Sequence, residues 1–166
     1  SPELRDAHVQ AILEFAGEND FYGIDLDYRI FDSSLRDEFV TFVRDLSAGL
    51  ASDGRSLTLT LPVPVREAEG WDTQGFDWEA LTPLASYVKL GLEPEQDRYY
   101  QRMEEALSYL VPRVGSSKLL LTVSALSHER GADGVGAMTL TEALALASES
   151  ATDPEGPVAP GSTVQA

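Results

Sequence analysis

Hydrophobic and polar positions along this chain switch between a helical period and a period of two, and the switches mark its elements. Ser1 is placed to cap a helix with Pro2 in the first turn, and Val9, Ile12, Leu13 and Ala16 then mark one face to about Gly17. Residues 21–30, Phe-Tyr-Gly-Ile-Asp-Leu-Asp-Tyr-Arg-Ile, read as a buried strand. Ile24, Leu26, Tyr28 and Ile30 share one of its faces, and Asp25, Asp27 and Arg29 share the other. Ser33 or Ser34 opens a second helix with Phe39, Phe42, Val43, Leu46 and Leu50 on its buried stripe, and Asp53-Gly54 closes it. The next strand is expected at 57–61, ended by Pro62 and Pro64, then a short helix or turn at 76–84 and a third strand at 86–92. A helix at 96–114 turns Tyr99, Met103, Ala106, Leu107 and Leu110 inward, and Pro112 should kink it or end it early. A fourth strand at 118–126 and a last helix at 139–148, capped by Thr139 or Thr141, complete the pattern. Gly131 to Gly136 lie between them without a phosphate-loop pattern and read as a flexible loop.

Strands alternating with helices imply right-handed crossovers and a parallel sheet, so the fold class is α/β. Residues 1–150 read as one such domain, and the aperiodic, Pro- and Gly-containing 151–166 as a linker or tail.

Two carboxylates and a guanidinium on one face of an apolar strand are costly to bury unless they pair or meet a ligand, so a polar site is expected there. The stretch Tyr22-Gly23-Ile24-Asp25-Leu26-Asp27-Tyr28-Arg29 resembles the signature strand of glycoside hydrolase family 18, the chitinase-like enzymes, whose pattern is Asp-x-x-Asp-x-Asp-x-Glu. The resemblance extends over the lead-in at 1–19, the helix at 36–54 and the strand at 57–62. It implies that the chain is a portion of a TIM (β/α)₈ barrel, since a complete barrel takes roughly 250 residues. A portion of this kind would expose two edge strands and an apolar interior face, and would either associate with itself or be completed by the rest of a longer chain.

Hydrolysis in that family is substrate-assisted: the acetamido oxygen of the sugar attacks its own anomeric carbon. By the resemblance, Asp27 takes the place of the aspartate that orients the acetamido group, Asp25 supports it, and Arg29 stands where the family has its acid. An arginine cannot deliver that proton, because its pKa stays above about 12. The first aspartate of the pattern is Tyr22 here. The family's Met-x-Tyr-Asp aligns with Gly91-Leu92-Glu93-Pro94, which places Glu93 where the tyrosine clamps the acetamide. Arg29 and Glu93 could then face each other as a salt bridge in place of a catalytic contact. The plainer reading of Asp25 and Asp27 is that they neutralise Arg29 or Lys89. Trp71 lies where sugar-stacking aromatics occur in such sites, although a loop tryptophan more often packs on its own loop. His128, in Ser127-His128-Glu129-Arg130, reads as a surface histidine.

Composition narrows the partners. The chain has 166 residues, 43% of them hydrophobic, enough for one core. With 12 basic and 28 acidic side chains its formal charge is −16, which repels phosphate backbones and anionic lipid, so neither nucleic acid nor a membrane surface is expected. There is no cysteine, and the two histidines, His8 and His128, lie outside any ligand-spaced motif, so no metal or other cofactor is expected. The start at Ser1, without an initiator Met or a signal-peptide core, reads as an excised or processed piece.

Three functions follow from these readings. The first is a non-catalytic chitinase-like domain that binds N-acetylhexosamine glycan, or serves as a structural module, in an extracellular or cell-wall protein. The second is an active hydrolase of chitin or peptidoglycan glycan with a displaced acid, Glu93 or Glu129. The third is a purely structural α/β domain.

Overall fold

The computed structural model describes residues 1–29, 32–91, 98–123, 126–131 and 134–150, with backbone alone at 128–131, 134–135 and 147–150. The chain opens with helix α1 (Pro2–Glu18) and strand β1 (Gly23–Asp27), followed after a 3₁₀ turn at Ser33–Leu35 by helix α2 (Arg36–Ser52). Strand β2 (Ser56–Leu61) leads into a small hairpin, β3 (Val65–Glu67) and β4 (Gly70–Asp72). The one-turn helix α3 (Trp78–Leu81) runs into a 3₁₀ turn at Thr82–Leu84 and strand β5 (Tyr87–Leu90). Helix α4 (Tyr99–Val114) and strand β6 (Leu119–Leu121) follow, then a second hairpin, β7 (Ser127–Gly131) and β8 (Gly134–Met138), and helix α5 (Leu140–Ser150).

Strands β1, β2, β5 and β6 form one parallel sheet in that order, the α/β arrangement that the alternation predicts. Contacts divide the chain into two units. The first holds this sheet, α1 to α3 and α4 from Gln101 onward, and the second includes the β7–β8 hairpin and α5.

Local signals set the boundaries. The Ser1 hydroxyl accepts from the Leu4 N–H at 3.4 Å, and Asp32 accepts from the Ser34 N–H at 2.9 Å. Gly54 closes α2 at φ +71°, a conformation that costs glycine nothing. In the second unit, Thr139 and Glu142 make a reciprocal capping box: the Thr139 N–H donates to the Glu142 carboxylate at 2.7 Å, and the Glu142 N–H to the Thr139 hydroxyl at 3.2 Å.

One face of the parallel sheet is aliphatic. Leu26, Leu57, Leu59, Leu61, Val88 and Leu90 are buried on it, and so are Val43, Leu46 and Leu50 of α2, which packs on β2, and Met103, Ala106 and Leu110 of α4. The other face carries Asp25, Asp27, Thr58, Thr60, Tyr87, Lys89 and Leu120, so it is mainly polar where the half-barrel argument expected an apolar interior. The reason lies in the alternation itself, which puts Thr58 and Thr60 of Leu-Thr-Leu-Thr-Leu on the side of the two aspartates.

Four further expectations are corrected. β1 ends at Asp27, so Tyr28 and Arg29 lie beyond the strand, and Ile30 lies outside the described residues. β6 has only three residues, against an expected strand at 118–126, of which 124 and 125 lie outside the described residues. α4 continues two residues past Pro112, where the missing N–H costs a bond only in the last turn. Of the stretch read as a flexible loop, Gly131 and 134–136 lie in the paired strands β7 and β8 instead, with Gly131 opposite Gly134, while 132 and 133 lie outside the described residues. Residues 151–166, read as a linker, lie outside the described residues.

Candidate functional site

Period-two alternation on β1 buries Leu26 and turns Asp25 and Asp27 to the polar face. Register then chooses their neighbours: Asp25 stands beside Thr58, Asp27 beside Thr60, and Thr60 beside Lys89. Asp25 uses both carboxylate oxygens. Oδ1 accepts from the Thr60 hydroxyl at 3.0 Å, and Oδ2 takes the Lys89 ammonium, which reaches across β2 from β5. The pairing of Asp25 with Lys89 is thus a three-strand network, with Thr60 as its middle member.

Asp27 is held differently. Its Oδ2 accepts from Arg29 Nε at 3.0 Å and Nη2 at 2.8 Å. The Arg29 side chain is 84% exposed, against 32% for Asp27. The guanidinium was expected inside a strand layer. Because β1 stops two residues earlier, Arg29 instead stands in water and reaches back to the carboxylate. The hydrogen bond and the charge of Asp27 raise the pKa of Arg29 further above its ordinary value, so it is a permanent cation at pH 7. Asp25, Asp27, Arg29 and Lys89 together carry no net charge, in a chain whose formal charge is −16.

The remaining site candidates fall elsewhere. Glu93, and with it the proposed Arg29–Glu93 bridge, lies outside the described residues. Trp71, on β4, stacks on Tyr109 of α4, with ring centroids 4.6 Å apart and an interplanar angle of 22°. Trp78 is buried in the core. Tyr28 hydrogen-bonds His8 Nε2 at 2.7 Å, and partial burial raises its hydroxyl pKa. Thr58, Thr60 and the half-exposed Tyr87 were missed as members of the polar face, although Leu-Thr-Leu-Thr-Leu and Tyr-Val-Lys carried the signal. Among the described residues no group of three or more His, Cys, Asp or Glu side chains is placed to hold a metal ion, and no helix is long and apolar enough to cross a membrane.

No family model matches the chain. It is 20% identical over 137 residues to YdhD of Bacillus subtilis (strain 168), which carries the name of a sporulation-specific glycosylase; the match takes in 78% of this chain and 32% of YdhD. The crystal structure of YdhD superposes with a TM-score of 0.76 at 19% identity, over 90% of this chain and 54% of that one. A chitinase from Chromobacterium violaceum ATCC 12472 gives a TM-score of 0.69 at 25% identity, over 85% of this chain and 48% of that one. The spore cortex-lytic enzyme SleL of Bacillus megaterium QM B1551 gives 0.72 at 17% identity, over 90% of this chain and 38% of that one. The chain therefore spans about half or less of the length of these relatives. With its parallel sheet, its alternating helices and these neighbours, the chain has the fold of part of the TIM barrel of chitinase-like glycoside hydrolases of family 18.

Proposed function

We propose that this chain is a chitinase-like domain that binds N-acetylhexosamine glycan and does not hydrolyse it, as part of a protein of the cell wall or extracellular space. The observation that carries the reading is the Asp27–Arg29 pair. At the position where the resemblance calls for a proton donor stands a permanently charged guanidinium, and it occupies one oxygen of the carboxylate that would orient an acetamido group. General acid catalysis contributes about 10²–10⁴-fold to such reactions, so a chain without the acid forfeits that factor.

Binding does not need the acid. Asp27 Oδ1 has no hydrogen-bond partner among the described residues and can accept an amide N–H, while Thr60 and Lys89 fix Asp25 beside it. The names of the relatives, a chitinase and a spore cortex-lytic enzyme, point to N-acetylhexosamine polymers as the ligand class.

Retention of the purified chain on chitin and on peptidoglycan sacculi, together with reducing-end assays on chitohexaose, tests the proposal. Retention without turnover, lost in Asp27→Ala, is the expected result. Turnover that disappears in Glu93→Gln would replace it with the displaced-acid mechanism, and absence of retention on either polymer would leave a structural domain.

A further inference from the structure

Helices α1 and α2 leave a cleft of about 270 Å³ beside the carboxyl end of β1. Its walls follow from spacing along the chain. Leu35, Phe39 and Phe42 recur at intervals of four and three at the start of α2, and Arg5 and His8, three apart, line the cleft from α1. Tyr28 joins the two walls: its hydroxyl meets His8 Nε2 at 2.7 Å, and its ring stands edge-to-face with Phe39 at 5.7 Å and Phe42 at 6.2 Å. His8 in turn stacks on Phe42, with ring centres 5.3 Å apart. None of these residues belongs to the Asp25–Asp27 site.

Size, lining and charge set the chemistry of an occupant. The space is that of roughly nine waters at ~30 Å³ each, just under the ~300 Å³ at which pockets for drug-sized ligands begin, so the occupant is small. The lining is mostly aromatic and aliphatic, and Phe39 and Phe42 are buried in it. The charges are unbalanced. Arg5 is engaged by Asp6 at 3.5 Å and Asp45 at 3.4 Å, and its Nε is buried, so it lines the cleft with its stem while its charge is already matched. Asp32 pairs with no cation among the described residues. Hydrogen bonds from Ser34 hold its pKa below the ordinary value, so it is an anion at neutral pH. The formal charge of −16 on the whole chain adds a field that draws cations and repels anions.

We propose that this cleft binds a small organic cation, a primary or quaternary ammonium on an apolar body, with the body against Leu35, Phe39 and Phe42 and the ammonium toward Asp32. An ammonium beside these rings gains from their quadrupoles as well as from the carboxylate. A neutral ligand of the same shape gains burial alone. An anionic one meets Asp32 as a like charge.

The test compares three ligands of one shape: phenethylamine, 2-phenylethanol and phenylacetate, respectively cation, neutral and anion at pH 7. Each is titrated into the full chain and followed by NMR at the amides of His8, Tyr28 and Leu35. Phenethylamine is expected to bind about three- to tenfold more tightly than 2-phenylethanol, with phenylacetate the weakest. Asp32→Asn keeps a side-chain oxygen for the Ser34 N–H but loses the charge. It should cut the preference for the cation at least about twofold while leaving the affinity for 2-phenylethanol unchanged. Where that variant fails to fold, Leu35→Lys, at a position 50% exposed, sets an ammonium beside Asp32 and should remove the preference. Equal affinity for phenethylamine and 2-phenylethanol, or a preference that both variants leave intact, would overturn the proposal. So would tighter binding of phenylacetate, which would make Arg5 or His8 the charged partner, and so would the absence of shifts at these amides with millimolar phenethylamine.

Discussion

The indole of Trp71 lies on the phenol of Tyr109, 4.6 Å between ring centres and 22° from parallel, and so fastens the β3–β4 hairpin to helix α4. The Arg113 guanidinium sits 4.0 Å from the centre of the same Tyr109 ring and pairs with Glu79 at 3.6 Å. A double-mutant cycle over Trp71→Ala and Tyr109→Ala should give a coupling of about 0.5–1.5 kcal/mol by urea unfolding. If the ring is held for packing alone, Trp71→Ala leaves retention on chitin within about twofold, well under the tenfold that 1.4 kcal/mol of binding would represent. Loss of retention in a folded Trp71→Ala protein would return this tryptophan to the ligand site.

The Asp27–Arg29 pair should matter little to stability. With the guanidinium 84% exposed, it belongs with surface ion pairs, worth about 0–1 kcal/mol. Arg29→Ala is therefore expected to keep the urea midpoint close to that of the parent while leaving the chain without hydrolytic activity. A large drop in the midpoint would show that Arg29 has a packing role that its exposure conceals.

The parts of this fold that were legible in the sequence are those whose neighbours lie nearby in the chain. Alternation from Ile24 to Asp27 in β1 and along β2, and the buried apolar stripe of α2, are local patterns, and each appears where it was expected. The β3–β4 hairpin was not legible, because Val-Arg-Glu and Gly-Trp-Asp are too short to show a period, and what selects the strand is pairing of Arg66 with Trp71. At the site, the sharing of one face by Asp25 and Asp27 was readable. The place of Arg29 was not, since continuing the alternation two residues past the true end of β1 moved an exposed side chain into the barrel. Thr60 was overlooked for a different reason: its role depends on the register between β1, β2 and β5, which no single strand reveals.

Two glycines in close contacts should respond unequally to alanine. A Cβ at Gly23 would land on Ser56 Oγ and on the Ser56 backbone carbonyl, within the parallel pairing of β1 with β2. At Gly49 the nearest atom is Leu13 Cδ1, the far end of a side chain that can rotate. Gly23→Ala is expected to cost about 1–3 kcal/mol, as overpacking does, and Gly49→Ala distinctly less, because alanine also favours the helix there. Equal losses in urea unfolding would mean that the α1–α2 contact is as unyielding as the strand pair.

Asp77 joins two helices by two different bonds, and its charge should be visible in the acid limb of stability. Burial by itself would raise the pKa of this carboxyl. Hydrogen bonds from the Ala80 N–H to Oδ1 at 3.0 Å and from Arg36 to Oδ2 at 2.8 Å, with the charge of Arg36, outweigh it and hold the pKa below the usual value. A carboxylate whose pKa is lower in the folded chain stabilises that chain above its unfolded pKa of about 3.9, and the contribution fades as pH falls through the folded value. Asn at this position can still cap α3 but has no charge to offer Arg36. Asp77→Ala should therefore cost about 0.5–2 kcal/mol at pH 7, and Asp77→Asn less. The gap in urea midpoint between the parent and Asp77→Asn should narrow between pH 7 and pH 3, and because the other acids titrate alike in both proteins, they cancel in that difference. A gap that stays the same at both values would show that the Arg36–Asp77 pair contributes nothing as a pair of charges, and that capping alone accounts for Asp77.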